Sequence, residues 1–462
     1  MIQNRYVLCC GLFASIGGLT FGYDQGVIAN LLVMEDFQRQ FPASPLQQGA
    51  LTAVLELGAL SGALISGAFS DSVSRGRSIG IACAVFCIGS TLQTVSGTLG
   101  QLSLGRLIGG VGIGSLSMLC PLYMSEISPP ETRGSLLSIE QFSIVLGVVF
   151  GFWIGFFTRN ISGSWSWRLP LAVQIIPGLL LAAGSFLLPA SPRFLVSRNQ
   201  INEAQLEAAL IADQNGAPGT KRGSIWGRWA LLFTEQYKTQ TWIGILVMFF
   251  QQWTGINAVL YYAPFMMRSM GVRGDTVMLI SSGFVSIMQF LSVIPAIIYI
   301  DRLGRRPLLM GGAIIMAFSH ASIAALVWYG QGDWAAHRNI AWSAVSMIYL
   351  FTAGYGGSFG PVAWVLPNEI FPLTIRSQGV GLSTASNWCN NFLVGLITPS
   401  LISVSPAATY MLFSCGCVAA FFWSKYLVPE TRGRSLEEMD TLFESAVGQE
   451  IAQRKQQVGH RS

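Results

Sequence analysis

Residues 126–133 read EISPPETR and residues 369–376 read EIFPLTIR, so one glutamate and one arginine recur at the same spacing in both halves of the chain. The two segments are 243 residues apart, and each one directly follows a long apolar stretch. A motif that returns at a fixed offset indicates that the same structural unit occurs twice. The chain is therefore predicted to consist of two similar halves.

Two further pairs of motifs support the duplication. They are Asp71-x-x-x-Arg75 with Asp301–Arg306, at an offset of 230 residues, and Pro189–Arg193 with Pro429–Gly433, at an offset of 240 residues. Each of them also follows an apolar stretch. A parallel repeat of this kind predicts two helical bundles with a substrate site between them and transport by alternating access.

The composition is that of a membrane protein. Of the 462 residues, 52% are hydrophobic and only 11% are charged, whereas soluble domains carry about 25% charged residues. So little charge cannot cover a surface in water, but lipid removes that requirement everywhere except at loops and ends. The net charge of +5 is too small, and the basic residues too scattered over short loops, for binding of nucleic acid.

The sequence gives no support to an enzymatic or metal-dependent function. The eight cysteines lie in apolar stretches without the spacing of a metal site, and we interpret them as packing residues. The three histidines, His320, His337 and His460, are far apart and form no nucleophile–histidine–acid pattern. No phosphate-binding glycine loop occurs, which argues against an ATP-driven pump. We predict no catalytic residue, no metal and no cofactor.

Twelve stretches are long and apolar enough for transmembrane helices, each of which needs roughly 20 residues. They lie near 7–32, 48–70, 78–98, 102–124, 136–158, 168–189, 240–265, 276–300, 307–330, 340–367, 378–402 and 406–428. The prediction is an all-α membrane protein of two six-helix bundles with pseudo-symmetry. Its parts are an N-terminal bundle at 1–189, a cytoplasmic linker with short helices at 190–239, a C-terminal bundle at 240–428 and a cytoplasmic tail at 429–462.

The basic residues indicate the orientation. With the N-terminus inside, 20 of the 27 Lys and Arg residues lie on the cytoplasmic side, 6 lie outside and Arg106 lies within a span. Cytoplasmic loops of membrane proteins carry such an excess of Lys and Arg. Both termini are therefore predicted to be cytoplasmic.

Four ionisable residues fall inside the predicted spans, where charge is costly and usually functional: Asp24, Glu56, Arg106 and Glu140. An Asp24–Arg106 pair would give each charge a partner, and protonation of the carboxylate would weaken the pair and release the helices. The alternative is a static pair that only fixes helix packing. Glu56 and Glu140 are weaker candidates for proton transfer.

Five motifs occur in one order along the chain. They are PLYMSE (Pro121–Glu126) followed by Arg133-Gly134, QQWTGIN (Gln251–Asn257) followed by Tyr261-Tyr262, GPVAW (Gly360–Trp364), Asn387-Trp388 with Asn391, and PETRG (Pro429–Gly433). In these motifs, from about Gly17 to Glu438, the chain resembles the sugar porter family of the major facilitator superfamily, and the fungal-type monosaccharide/proton symporters in particular.

The resemblance implies the major facilitator superfamily fold, a location in the plasma membrane and a sugar site built from side chains of both bundles. Amides suit the ring of sugar hydroxyls because they both donate and accept hydrogen bonds, and tryptophan packs on the apolar face of the sugar ring. The residues implied to contact sugar are Gln141, Gln251, Gln252, Asn257, Trp364, Asn387 and Trp388. Because the three amides of the QQWTGIN motif do not share one face of a straight helix, a helix break at Gly255 is expected.

The resemblance also assigns roles outside the sugar site. Tyr261 and Tyr262 are implied to form the outer gate, and Asp24 and Arg106 match positions that proton-coupled members use. An inner charge network is implied at Asp71, Arg75, Glu126, Arg133, Arg305, Arg306, Glu369 and Arg376. Its expected role is to hold the two halves together on the cytoplasmic side and to tune the conformational equilibrium.

The expected partners are a small-molecule sugar, a proton and the lipid bilayer, with no nucleic acid and no obligate protein partner. A hexose is the default substrate. An uncoupled sugar facilitator stays open as an alternative, as does a transporter of a pentose, a polyol, quinate or an exported metabolite.

Overall fold

The protein is helical throughout the part of the chain that the structure describes. The computed structural model describes residues 5–70, 72–128, 132–189, 225–270, 272, 274–330, 333–334, 336–372, 375–433 and 443. These ranges contain helices and turns and no β-strand. The prediction of an all-α protein is confirmed for them.

Six spans form the first half of the molecule. Span 1 consists of Arg5–Ala14 and Ile16–Leu31, span 2 of Pro45–Phe69, span 3 of Arg75–Val95, span 4 of Leu99–Ile127, span 5 of Arg133–Thr158, and span 6 of Trp165–Val173 and Ile175–Ser185. A short helix, Glu35–Gln40, lies between spans 1 and 2 and packs against span 6.

Six spans form the second half, preceded by a short helix at Ile225–Leu231. Span 7 consists of Lys238–Trp253 and Ile256–Ser269, span 8 of Asp275–Leu303, span 9 of Arg305–Gly330, span 10 of Arg338–Gly356 and Phe359–Ile370, span 11 of Arg376–Val404, and span 12 of Pro406–Tyr426. All twelve lie at the positions predicted from the apolar stretches.

Ten of the spans are long and apolar enough, by length and composition, to cross a membrane. Spans 10 and 11 fall below that criterion. Span 10 is interrupted near Ser358, whose φ of −141° and ψ of −92° are not helical. Span 11 carries the polar residues Asn387, Asn390 and Asn391 near its middle. These two departures from a plain apolar helix occur where the sequence motifs place candidate sugar contacts.

Local sequence signals define where some spans begin. The Ser44 side chain accepts a hydrogen bond from Gln47 N at 3.3 Å, and Gln47 Oε1 accepts one from Ser44 N at 2.9 Å. This reciprocal cap starts span 2 and satisfies two backbone N–H groups that a helix leaves unpaired. Span 12 starts in a similar way at Ser405, and each cap is followed by a proline, which suits the first helical position.

The packing of the spans repeats between the halves. Span 1 packs against span 5 as span 7 packs against span 11, and span 3 packs against spans 4 and 6 as span 9 packs against spans 10 and 12. Across the boundary, span 2 packs against span 11 and span 5 against span 8. Spans 2 and 8 correspond to each other, as do spans 5 and 11. The symmetry operation therefore converts the contact between spans 2 and 11 into the contact between spans 8 and 5. The halves are therefore related by pseudo-twofold symmetry.

Glycines let spans 1 and 5 approach closely. Gly22 and Gly26 of span 1 face the backbone of Ile144 and Val148, and Gly147 of span 5 faces the backbone of span 1. A Cβ atom on Gly22 would collide with the carbonyl oxygen of Ile144. Small residues spaced four apart bring membrane helices together in this way, because lipid supplies no hydrophobic force between them.

One end of the molecule, which we call the charged face, carries two corresponding ion pairs. At this end the chain connects spans 2 and 3, spans 4 and 5, spans 8 and 9, and spans 10 and 11. Arg75 Nη2 lies 2.8 Å from Glu126 Oε1 in the first half, and Arg305 Nη2 lies 2.6 Å from Glu369 Oε1 in the second. All four side chains are buried. Each pair joins two connections of one half, so the duplication extends to the charges.

Polar contacts between the halves at the charged face involve serine residues and Gln378, whose Nε2 donates to Gly67 O of span 2 at 3.2 Å. Ser135 of span 5 donates its backbone N–H to Asp301 Oδ2 of span 8 at 2.8 Å. On the symmetry-related side, Arg75 Nη2 donates to Ser377 Oγ of span 11 at 3.3 Å. Asp301 also pairs with Arg305 at 3.1 Å. The charged face is closed, and its ion pairs orient the groups that cross the boundary.

The other residues of the predicted charge network bind the backbone at the same face. Arg376 Nε donates to Phe371 O at 2.9 Å, and Arg133 Nη2 approaches Ser128 O at 3.5 Å. The Arg306 side chain donates from Nη2 to Lys425 O, and its backbone N–H donates to the Glu430 carboxylate at 3.1 Å. Asp71, most of the predicted linker (190–224) and the predicted tail beyond Gly433, except Phe443, lie outside the described residues.

Candidate substrate-binding site

Span 7 is broken at Gly255, which confirms the predicted break. Gly255 has φ = +90°, a left-handed conformation that glycine adopts without strain. A Cβ atom there would also lie 2.7 Å from the ring of Phe413. The break reorients the second part of the span, so Gln251, Gln252 and Asn257 all line one cavity.

This cavity lies at the boundary between the halves, lined by residues of spans 1, 5, 7, 8, 10 and 11. Its volume is about 20 Å³, enough for one water molecule but not for a monosaccharide. Its polar lining contains Tyr355 and seven amides: Gln25, Gln141, Gln251, Gln252, Asn257, Gln289 and Asn387. The structure thus brings amides from five spans to one point and shows them in a contracted state.

Gln251 and Asn387 join spans 7, 10 and 11. Gln251 Nε2 donates to the carbonyl oxygens of Phe359 at 3.1 Å and Gly360 at 3.3 Å. Asn387 Nδ2 donates to Gln251 Oε1. The break in span 10 is therefore held by the same amide that lines the cavity. Opening the cavity for a solute would exchange some of these bonds for bonds to the solute.

A second amide chain crosses between the halves. Asn257 Nδ2 donates to Gln252 Oε1 at 2.6 Å, and Gln25 Nε2 of span 1 lies 3.3 Å from Asn257 Oδ1. Because Gln25 belongs to the first half and Asn257 to the second, a solute that binds both would hold the halves together. Hydrogen bonds buried in this way are stronger than those in water.

The two candidate tryptophans occupy different environments. Trp364 lines the cavity, whereas Trp388 is not part of its lining. Trp388 is completely buried, and its indole N–H donates to Ser117 Oγ of span 4 at 3.0 Å. Asn387 and Trp388 are neighbours on one helix and point in different directions, so only Asn387 faces the cavity. Phe21 contacts both indoles, with centroid distances of 6.3 and 4.8 Å.

Of the two candidate gate tyrosines, Tyr261 makes contacts across the boundary between the halves, whereas Tyr262 bonds within the second half. The Tyr261 hydroxyl accepts hydrogen bonds from Gln25 Nε2 and Asn391 Nδ2, both at 3.0 Å. It also lies 2.9 Å from Glu56 Oε1 of span 2. Tyr262 donates its hydroxyl to Gly395 O at 2.8 Å, and its backbone departs from helical geometry two residues before Pro264.

A larger cavity of about 520 Å³ lies at the face opposite the charged face. Pro264 and Phe265, which follow the two tyrosines in span 7, form part of its lining. Exposed ionic residues such as Arg268 and Asp275 also line it. The tyrosines are buried, so the structure is closed at this end of span 7 as well as at the charged face.

The predicted ion pair between Asp24 and Arg106 is confirmed. Arg106 Nη2 lies 3.4 Å from Asp24 Oδ2, and both side chains are only 2% exposed. Arg106 also donates from Nε to Leu51 O at 2.9 Å and from Nη2 to Thr52 O at 3.3 Å. The guanidinium therefore links spans 1, 2 and 4, and a change at the carboxylate would act on all three.

Sequence reasoning missed two amides that line the cavity. Gln25 directly follows Asp24, and an amide next to an intramembrane carboxylate was a signal that could have identified it. Gln289 lies in the apolar sequence of span 8, and a side-chain amide without hydrogen-bond partners is costly in lipid. Glu56 is a weaker candidate by sequence, and its contact with Tyr261 depends on the packing of span 2 against the second half.

Two six-helix halves with a polar site at their boundary define a multi-pass membrane transporter, and such a repeat is typical of proteins that work by alternating access. Residues 10–443 match the family of sugar (and other) transporters. The chain therefore belongs to this family of the major facilitator superfamily, and it is a transporter rather than an enzyme.

Individual relatives agree with that assignment. The chain is 31% identical to the high-affinity glucose transporter of Kluyveromyces lactis, over 96% of this chain and 85% of that one. It superposes on the proton:xylose symporter XylE bound to 6-bromo-6-deoxy-D-glucose with a TM-score of 0.81 and 28% identity, over 96% of this chain and 100% of that one. The inward-open form of XylE from E. coli gives a TM-score of 0.70 over 95% and 100% of the two chains, again with 28% identity. The present structure thus resembles the sugar-bound form more than the inward-open one.

Proposed function

We propose that this protein moves a monosaccharide, with a hexose as the substrate, across the plasma membrane together with a proton. The charged face would lie in the cytoplasm, as would both termini, and the chain would divide at 190–239 into two bundles that rock around the central site. The excess of Lys and Arg on that side supports this orientation.

The observation that carries the substrate proposal is the cavity lined by amides and Trp364. Each amide offers a donor and an acceptor, which matches hydroxyls that do both, and an indole beside them suits the C–H face of a sugar ring. Trp388 would support this site without lining it, because its indole bonds Ser117 and packs against Phe21, which lines the cavity. The kinship with a glucose transporter supports a hexose.

The proton proposal is supported by the buried Asp24–Arg106 pair. A carboxylate without access to water is stable in its charged form only beside its partner, so uptake of a proton changes the balance of forces among spans 1, 2 and 4. The similarity to a structure described as a proton:xylose symporter favours the same coupling.

The test is uptake of labelled D-glucose by cells that lack their own hexose transporters, with and without a protonophore. We expect accumulation that collapses with the protonophore. Uptake that continues unchanged would contradict proton coupling and leave an uncoupled facilitator. Absence of D-glucose uptake despite surface expression would contradict the hexose assignment, and the same assay with pentoses, polyols and quinate would then identify the substrate.

Gln251→Ala is expected to raise the KM for sugar about tenfold or more. The substitution removes a sugar-facing amide and leaves Asn387 and two backbone carbonyls without their partner, at a cost of about 1–3 kcal/mol. Initial uptake rates over a range of sugar concentrations would measure it. Asn339→Ala, at an exposed amide at the start of span 10, is the control, and an equal KM in both variants would contradict the role of Gln251.

Asp301→Ala is expected to shift the transporter towards the state that is open at the charged face. The change removes the acceptor of the Ser135 N–H across the boundary. A hydrogen bond to a charged group contributes about 1.5–3 kcal/mol, so the population ratio should change about tenfold or more. Distances between spin labels on the charged-face ends of spans 5 and 8 would show it. Glu235→Ala, at an exposed carboxylate, should leave the distances unchanged, and unchanged distances in Asp301→Ala would refute the contact's role.

A further inference from the structure

Glu56 is a second buried carboxyl group beside the Asp24–Arg106 pair. It lies on span 2, one helical turn after Thr52, whose carbonyl oxygen accepts a hydrogen bond from Arg106. The Glu56 side chain is 1% exposed, and both Arg106 and Asp24 act on it electrostatically. The cluster of Asp24, Arg106 and Glu56 is therefore one electrostatic unit.

The hydrogen bonds around Tyr261 fix what each oxygen of Glu56 does. The Tyr261 oxygen accepts from two amides, Gln25 and Asn391. Its single proton is therefore directed at its third neighbour, Glu56 Oε1, at 2.9 Å. Oε1 acts as an acceptor, whereas Oε2 has no hydrogen-bond partner among the described residues. Oε2 is the oxygen that can carry a proton without disturbing the contact with Tyr261.

A count of charges shows that the cluster needs one proton when it is dry. Two ionised carboxylates and one guanidinium leave a net charge of −1, and the three side chains are at most 2% exposed. An uncompensated charge is strongly unfavourable at such a position. One proton makes the cluster neutral. Because Asp24 has the guanidinium within 3.4 Å, Glu56 is the better place for that proton.

The groups that face Glu56 come from three neighbouring elements. Span 1 presents Asp24, span 4 presents Arg106, and span 7 presents Tyr261 and Tyr262. Phenols are ordinarily uncharged at neutral pH, so they leave the charge count unchanged. Tyr261 connects the cluster to the sugar cavity, because Gln25 bonds both the Tyr261 hydroxyl and Asn257.

We propose that Glu56 carries the coupled proton on Oε2 and that the gate around Tyr261 closes only over the protonated, neutral cluster. While the gate is open, water would stabilise the ionised Glu56. Closure removes that water and brings Tyr261 onto Oε1, so one proton has to enter together with the sugar. This inference rests on the proposed proton-coupled transport and assigns its proton to a residue outside the Asp24–Arg106 pair.

The direct test needs no sugar. Infrared spectra of the purified, reconstituted protein would record the carbonyl-stretch band of protonated carboxyl groups. Glu56→Gln is expected to remove one such band, and ¹³C-labelled glutamate should shift that band in the wild type. Asp24→Asn should remove it as well, because Glu56 then becomes the only carboxylate opposite Arg106. Glu140→Gln is the matched control, since Glu140 is equally buried and has no hydrogen-bond partner among the described residues, and it should leave the band in place.

Each result decides the assignment. The assignment would be overturned if Glu56→Gln removed no band, or if the band that it removes did not shift with ¹³C-labelled glutamate in the wild type. If Glu56→Gln does not fold, Tyr261→Phe keeps all the charges and removes the hydrogen bond to Oε1, together with the two that the hydroxyl accepts from Gln25 and Asn391. The band should then remain but move to higher frequency, and a band that stays at the same frequency would overturn the link to the gate.

Transport by proteoliposomes separates this inference from the function on which it rests. With D-glucose as the probe, Glu56→Gln should exchange sugar at a rate within about threefold of the wild type but lose accumulation driven by a pH gradient. Accumulation by Glu56→Gln equal to that of the wild type would overturn the inference alone. Failure of the wild type to accumulate D-glucose under a pH gradient would contradict the proposed function, and the infrared bands would still decide whether Glu56 holds the proton.

Discussion

Asp24→Asn is expected to abolish proton-driven accumulation of sugar while the exchange of sugar across the membrane continues. Asparagine has nearly the same shape as aspartate, so the contacts of span 1 with spans 4 and 5 are kept. It cannot take up or release a proton, and Arg106, 3.4 Å away in the native protein, would then be neutralised by Glu56 in every conformation. The cycle would proceed without a proton.

Proteoliposomes with and without a pH gradient would measure this effect. Accumulation should fall from well above the external concentration to equilibrium, and counterflow of labelled sugar should persist. Asp275→Asn is the control. Asp275 is an exposed carboxylate in the larger cavity at the face opposite the charged face, and the variant should behave like the wild type because exposed ion pairs contribute little. Full accumulation by Asp24→Asn would show that the buried pair is only structural.

Gly22→Leu is expected to prevent the first half from folding correctly. Even a Cβ atom at this position would collide with the carbonyl oxygen of Ile144, and backbone cannot move aside as a flexible side chain can. Overpacking of a tight contact costs about 1–3 kcal/mol and occasionally more, and a leucine in a contact between two backbones belongs at the upper end. Separation of spans 1 and 5 would also displace Asp24, two residues further along span 1.

Thermal denaturation followed by size-exclusion chromatography would show the loss as a much lower melting temperature or as aggregation. Gly311→Leu is the matched control, since a Cβ at Gly311 meets no atom within 4 Å and the residue is exposed on the surface of span 9. Its stability should stay within about 0.5 kcal/mol of the wild type. Equal stability of the two variants would contradict the close contact of spans 1 and 5.

The helical framework follows from local properties of the sequence. A run of about 20 apolar residues in lipid has to be a helix, because its backbone groups can bond only to one another. This reasoning placed all twelve spans within a few residues, including the polar span 11. It also anticipated the break at Gly255, because three amides spaced over seven residues could not share one face of a straight helix.

The site was predicted in its composition and only partly in its geometry. Gln251, Gln252, Asn257 and Trp364 line the cavity, and their contact with sugar stays a prediction. Trp388 does not line the cavity, because the residue after a cavity-facing Asn387 is rotated away along the helix. Gln289 was missed because one amide in an apolar span gives no sign of the direction in which it points.

The sequence by itself determined the number of spans, the duplication, the family and most of the polar groups of the site, since these depend on composition, spacing and motif. Only the tertiary structure decided which groups meet across the boundary between the halves. The bond between Tyr261 and Glu56, 205 positions apart in the chain, and the shared position of two carboxyl groups beside one arginine belong to that class. Contacts of this kind depend on how rigid helices pack against one another, and no local pattern in the sequence records that packing.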